Sequence, residues 1–276
     1  MSAFQERLAA GEGMVGLWLA LADPFGAEIV ASAGYDWLLI DAEHGPNDLR
    51  SVLSQLQALA AYDSQPFVRL PHGDAALIKR YLDIGADHLL IPMVDSRAQA
   101  EALVAATRYP PEGIRGVGAG LARASRWGAD REYLAEANGR VQLWIQIESV
   151  QALEAFDAIA QTPGLAGVFF GPADITASLG RLGAADDPEM EQRVLDAIGT
   201  ARALGFGRWR RRPQGPARTQ SESTAVRACW RRPNTRDRRP SARPGRGLRR
   251  RRGCLPGDSA WPPQGLRPEP GSRPWE

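Results

Sequence analysis

Between residues 13 and 207, short apolar runs rich in β-branched and aromatic residues alternate with longer amphipathic stretches. That is the pattern of repeated strand–helix units around a parallel sheet. Six strands are predicted: Met14 to Leu21 (MVGLWLAL), Trp37 to Asp41 (WLLID), Pro66 to Leu70 (PFVRL), His88 to Val94 (HLLIPMV), Val141 to Glu148 (VQLWIQIE) and Gly167 to Gly171 (GVFFG). Helical periodicity fills the gaps at Pro24 to Ala33, Leu49 to Ala61, Ala75 to Ile84, Arg97 to Thr107, Val150 to Gln161 and Pro188 to Leu204. Gly34, Gly85 and Gly205 close several of these helices. Nearly continuous apolar strands imply burial on both faces.

Two architectures accommodate six such units: an open doubly wound sheet, or a (β/α)8 barrel carried through three-quarters of its circuit. An open sheet binding a dinucleotide needs a phosphate loop after its first strand. The first strand here leads instead into LADPFG, and the glycine-rich GIRGVGAG at Gly113 to Gly120 follows a helix. The expected fold is therefore a (β/α)8 TIM barrel over residues 1–207, truncated after the sixth unit.

Beyond Gly207 the periodicity stops. The last 69 residues hold 19 Arg, no Lys, only five acidic groups, and no Ile, Phe, Tyr or Met. Such a composition cannot bury enough apolar surface to offset ordering entropy, so residues 208–276 are expected to be a disordered Arg/Pro/Gly-rich tail. Two origins present themselves: a nucleic-acid or membrane-surface binding tail, or a reading-frame slip in a GC-rich gene. The slip is the preferred one, since codons for RRRPQGP can be chosen that read GGGRKAP when shifted by one base. The overall net charge of +2 is thus a near-cancellation of an acidic body and a basic tail, and indicates no partner.

The first 20 residues lack the basic-then-apolar layout of a secretory signal, and no run reaches the roughly 18 apolar residues of a membrane span. A cytoplasmic protein with no membrane partner is expected. Both cysteines, Cys229 and Cys254, fall in the tail, which leaves the body without a disulfide framework, a thiolate metal site or a cysteine nucleophile.

In a barrel the C-terminal ends of the strands open onto one face, so polar residues there are candidates for chemistry whatever their separation in sequence. The second strand ends in Asp41-Ala-Glu-His44, the third in Arg69, the fifth in Gln146-Ile-Glu148, and the sixth in Gly171-Pro-Ala-Asp174. Glu148 and Asp174 make a hard oxygen donor pair suited to Mg²⁺ or Mn²⁺. His44 suits a general base at neutral pH, with Asp41 placed to orient it. Arg69, facing the interior, needs an anionic partner, which is a strand carboxylate or a substrate oxyanion. The single lysine, Lys79, lies in the amphipathic AALIKRYLDIGA and reads as a solvated helix residue, which disfavours Schiff-base chemistry.

The stretches DAEHGP at 41–46, VRLP at 68–71, LDIGADHLLIPMV at 82–94, YPPEGIRGVGAGLARASRWG at 109–128, QIES at 146–149 and GPADITASLG at 171–180 together resemble the metal-dependent class II pyruvate aldolases. The likeness is to the 4-hydroxy-2-oxoheptanedioate aldolase family, related to the citrate lyase β-subunit group, and covers about residues 4 to 207. It implies carbon–carbon cleavage of a 4-hydroxy-2-oxo acid, such as 4-hydroxy-2-oxoheptanedioate or a 2-keto-3-deoxy sugar acid, to pyruvate and an aldehyde. In that setting Glu148 and Asp174 would bind Mg²⁺, Mn²⁺ or Co²⁺, and Arg69 would stabilise the enolate oxygen. His44, with Asp41 and with Asp83 from a neighbouring subunit, would handle protons on the 4-hydroxyl through a metal-bound water. Gln146 would position the keto acid, the N–H groups of Ala173 and Asp174 would hold its carboxylate, and Trp18 would line the pocket. The resemblance also implies a homohexamer and a place in aromatic-compound catabolism. Two other functions are alternatives: an acyl-CoA lyase of the wider group, for which the body shows no basic nucleotide patch, and an inactive product whose Arg-rich tail binds nucleic acid.

Overall fold

A computed structural model describes residues 3–10, 12–184, 187–204, 206–208 and 227–231, all within a compact unit spanning residues 1–233. The order is α1 (Ala3–Ala9), β1 (Gly16–Leu19), α2 (Pro24–Ser32), β2 (Trp37–Asp41), α3 (Leu49–Leu59), β3 (Gln65–Arg69), α4 (Ala75–Asp83), β4 (His88–Ile91) and α5 (Arg97–Thr107). After two single 3₁₀ turns follow α6 (Tyr133–Arg140), β5 (Gln142–Ile147), α7 (Val150–Glu154), α8 (Phe156–Ala160), β6 (Leu165–Phe170), α9 (Pro172–Ser178), α10 (Pro188–Ala203), β7 (Phe206–Arg208) and β8 (Arg227–Arg231). Strands β1 to β6 pair in chain order and all in parallel.

The six expected strands are all present, with ends that differ by up to three residues. The segment expected as one helix over Val150 to Gln161 is two, α7 and α8, meeting at Ala155. Helix starts follow side-chain chemistry. Asp23, Asp48, Asp74, Ser96, Ser149 and Asp187 each accept a backbone N–H of the following helix, and Asp48 with Ser51 forms a reciprocal capping box.

Alternation along the strands sorts the core into two layers. Leu38, Ile40, Val68, Leu89, Ile91, Ile145, Val168 and Phe170 pack with the surrounding helices. Trp37, Leu39, Phe67, Leu90, Trp144 and Phe169 form a second cluster on the other face, joined by Phe4 and Leu8 of α1, a helix the sequence pattern did not predict. Trp18 of β1 meets Phe169 of β6 edge to face, with centroids 5.9 Å apart. The first and last parallel strands therefore touch across the interior, so the sheet is curled as in a barrel. The same alternation puts Trp18, Asp41, Arg69 and Gln146 on this inner face.

Two further short segments pair onto the six parallel strands. Arg227–Arg231, inside the segment expected to be disordered, forms a strand antiparallel to β6, and Phe206–Arg208 pairs antiparallel with it. Beyond β6 a truncated barrel presents a row of free backbone N–H and C=O groups, and such an edge accepts another strand through backbone bonds that need no side-chain periodicity. The rest of 208–276 lies outside the described residues. Among the described residues β1 and β7 do not pair, and no helix is long and apolar enough to cross a membrane.

Candidate active site

At the C-terminal ends of β2 and β3, Asp41 and Arg69 are register partners. Arg69 donates from Nε to Asp41 Oδ1 at 2.8 Å and from Nη2 to Oδ2 at 2.7 Å, while its Nη1 lies 2.7 Å from Glu43 Oε2. Its guanidinium stacks on Trp18, 4.4 Å from the ring centroid. Both members of the pair are buried. Burial alone would push the Asp41 carboxyl up, but the bonds and charge of Arg69, with the backbone N–H groups of Glu43 and His44, hold it below the usual carboxylate range.

This corrects one expected pairing. Asp41 is spent on Arg69 and meets His44 only through the latter's backbone N–H, at 3.4 Å. The carboxylate beside the His44 ring is Glu43, with Oε2 3.9 Å from Nε2. The ring itself is open to solvent, its side chain 71% exposed. Burial raises the Glu43 carboxyl, opposed by Arg69 and His44 and reinforced by Asp41 and Asp174.

Glu148, one residue past β5, is only 3% exposed. Gln146 Nε2 donates to its Oε1 at 2.6 Å, and the Met93 backbone N–H donates to Oε2 at 3.1 Å. Met93 presents that N–H from a left-handed backbone (φ 54°), a conformation uncommon outside glycine. Gly171, between β6 and α9, leaves the room Glu148 occupies: a Cβ there would stand 2.8 Å from Glu148 Oε1. Burial, together with the charges of Glu43 and Asp174, pushes the Glu148 carboxyl up to about 7. Asp174 and Ala173 are exposed on the first turn of α9, whose N-terminus has no side-chain cap.

Trp18, Asp41, His44, Arg69, Gln146, Glu148, Ala173 and Asp174 thus all lie on or just beyond the C-terminal ends of β1, β2, β3, β5 and β6. Asp83 does not join them. It ends α4, five residues before β4 begins and hence at the opposite end of the strands, where it accepts from Arg115 Nη2 at 2.7 Å. His72 is exposed in the turn after β3. His88 is buried in the inner aromatic cluster, with its pKa driven down by burial to about 3. Sequence reasoning missed Glu43, Met93 and Gly171. Only Glu43 carried a signal, as a third ionisable residue in DAEH.

Asp41 and Glu43 contact the one guanidinium, and Glu148 interacts electrostatically with Arg69, Glu43 and Asp174, so the acidic side chains outnumber the guanidinium, a balance that a hard cation would offset. Glu148 and Asp174 supply oxygen donors of the right kind, and the buried Gln146 Oε1 has no hydrogen-bond partner. Among the described residues no group of three or more His, Cys, Asp or Glu is gathered to hold a metal, so any cation here would take its remaining ligands from water or substrate.

Residues 14–208 match the model of the HpcH/HpaI aldolase/citrate lyase family. A hydroxypyruvate/pyruvate aldolase from Pseudomonas aeruginosa is 56% identical over 202 residues, covering 73% of this chain and 75% of that one. A 2-keto-3-deoxy-L-rhamnonate aldolase from Klebsiella pneumoniae is 52% identical over 73% of this chain and 76% of its own. The crystal structure of a protein of the same family from Burkholderia cenocepacia superposes with a TM-score of 0.71 at 41% identity, over 74% of this chain and 82% of the other. The TIM-barrel fold of that family is the one β1 to β6 trace. The chain belongs to the HpcH/HpaI aldolase/citrate lyase family and is an aldolase.

Proposed function

We propose that this aldolase cleaves the C3–C4 bond of a 4-hydroxy-2-oxo acid to pyruvate and an aldehyde, reversibly and with a divalent cation. The observation that carries the reading is the convergence of Arg69 with Glu148, Asp174 and His44 on one face. Glu148 and Asp174 would hold Mg²⁺, Mn²⁺ or Co²⁺, which when bound offsets the negative charge gathering on the pyruvate oxygens.

The chain's own residues do the rest. The N–H groups opening α9 at Ala173 and Asp174 take the substrate carboxylate, and the Gln146 amide orients the keto acid. Trp18 walls the pocket beside the guanidinium. As the C3–C4 bond breaks, its electron pair becomes the enolate of pyruvate, and an Arg69 N–H not engaged by Asp41 or Glu43 donates to the enolate oxygen. Two such N–H groups remain, one on each Nη. His44 takes the proton from the 4-hydroxyl as the aldehyde carbonyl forms. Asp41 serves by fixing Arg69.

Asp83 enters this chemistry only from a neighbouring subunit, since in its own subunit it lies at the other end of the strands. Exposed Ile114, Val117, Leu121 and Trp127, in the segment that holds Arg115, give such a contact apolar surface. The partner in this reading is another copy of the chain, in the homohexamer implied by the sequence resemblance.

The test is proton NMR of pyruvate in D₂O with the full chain and Mg²⁺. Methyl exchange that appears with the cation and stops on chelation is the expected result. A folded protein with no exchange under either condition would overturn the reading.

A further inference from the structure

One carboxylate oxygen stands between the two side chains on which the aldol cleavage depends. Glu43 Oε2 is 2.7 Å from Arg69 Nη1 and 3.9 Å from His44 Nε2. The first is an ion pair without hydrogen-bond geometry, since Glu43 Oε2 has no hydrogen-bond partner, and the second is about an ångström beyond a hydrogen bond. The three side chains differ in freedom: Arg69 is 8% exposed, Glu43 17% and His44 71%. Glu43 is thus anchored on a buried guanidinium and offers its oxygen to an imidazole that is free to turn. Arg69 also has Asp41 on its other edge, which fixes its plane through two parallel bonds. Glu43 borders the Nη1 edge of that plane and the His44 ring, and Asp41 reaches neither of these with its side chain.

We propose that Glu43 is a positioning residue for both halves of the reaction, its Oε2 holding Arg69 Nη1 against the enolate site and setting the His44 ring for proton transfer at the 4-hydroxyl. The proposal rests on the aldolase reading given above. It separates Glu43 from Asp41, whose carboxylate meets the guanidinium and the Glu43 and His44 backbone N–H groups but not the His44 ring. It also separates Glu43 from Glu148 and Asp174, which act on the cation. The charge of His44 opposes the rise of the Glu43 carboxyl, which accords with the two groups being electrostatically coupled.

Two rates distinguish this role from a structural one, because pyruvate methyl exchange uses Arg69 whereas retro-aldol cleavage also needs His44. Glu43→Gln keeps size and an acceptor oxygen but loses the charge. Exchange is expected to fall about 10-fold and retro-aldol kcat about 100-fold or more, at a KM within about threefold of wild type. Glu43→Asp should recover part of both. Retained retro-aldol kcat, equal losses in the two assays, or a raised KM at unchanged kcat would each overturn the proposal.

The clamp has a readout independent of turnover. In ¹⁵N-arginine-labelled full chain without metal, the Arg69 guanidinium signal, assigned by its loss in Arg69→Lys, should show restrained Nη1 protons that become averaged in Glu43→Ala. An unchanged signal in that variant overturns the proposal. A folded wild type inactive in both rate assays overturns the aldolase reading instead, and the Arg69 signal then still decides whether Glu43 holds the guanidinium.

Discussion

Arg69 and Asp41 face each other across β2 and β3 in exact Cα register and are joined by two parallel hydrogen bonds of 2.8 and 2.7 Å. A guanidinium this deeply buried is stable only while its partner is charged. Asp41→Ala should therefore destabilise the fold, with an upper bound of about 3–5 kcal/mol for breaking a buried pair. Glu43, still on Nη1, reduces that loss. Asp41→Asn should cost less than the alanine variant, because the amide oxygen accepts one of the two bonds. Urea unfolding followed by circular dichroism ranks the three proteins. Equal midpoints for wild type and Asp41→Ala would show that the pair contributes nothing.

Arg69 itself should be needed for enolate formation and dispensable for the cation. Arg69→Ala is expected to lower pyruvate methyl exchange by about 100-fold or more, the scale seen when an oxyanion donor is removed. Mg²⁺ affinity, measured by isothermal titration, should stay close to that of wild type. Exchange at the wild-type rate would remove Arg69 from the chemistry. Arg69→Lys should not restore the rate, since an ammonium cannot make the parallel bonds to Asp41 that fix the group.

Gly171 tests whether Glu148 must sit where it does. A methyl at that position would lie 2.8 Å from Glu148 Oε1 and 2.9 Å from its Cγ, so the carboxylate must move. The glycine precedes α9 at φ −102°, which alanine adopts without backbone strain. Gly171→Ala is therefore expected to fold while losing about 10- to 100-fold in Mg²⁺ affinity, the range for disturbing the groups that orient a ligand. Unchanged affinity would mean that Glu148 is not a ligand.

Much of this site was legible before the structure because it follows from two periodicities. Parallel strands separated by helices put their C-terminal ends on one face, which was enough to single out His44, Arg69, Glu148 and Asp174. What stayed hidden depends on three-dimensional neighbours. Asp41 is three residues from His44, a spacing that suggested a pair, yet the strand register hands its carboxylate to Arg69. Met93 matters only through a backbone N–H in a left-handed turn, and nothing in its side chain announces that. Gly171 has no side chain to read, and its role is the space it leaves for Glu148. The strand at Arg227–Arg231 was invisible because edge pairing is made by backbone groups and leaves no pattern of apolar residues.

The Glu148 carboxyl, raised by burial and by Glu43 and Asp174 to about 7 from an ordinary 4.5, ties stability and cation affinity to pH in opposite ways. Between about 4.5 and 7 the folded chain without cation holds a proton on Glu148 that the unfolded chain has lost. Stability from this group is therefore complete below about 4.5 and is lost as pH rises through about 7. Glu148→Gln, which cannot ionise, should remove that decline, so its thermal midpoint should gain on wild type as pH increases from 5 to 8 without cation. Cation binding requires the ionised form, so Mg²⁺ affinity should fall below about pH 7, with a proton released on binding. Titration calorimetry in two buffers of different ionisation enthalpy reads that proton directly. At pH 6 the release should approach one proton per bound cation, and at pH 8.5 it should vanish. A release that does not change between these values would show that Glu148 is already ionised in the free protein, and that its burial is compensated by a partner other than the cation.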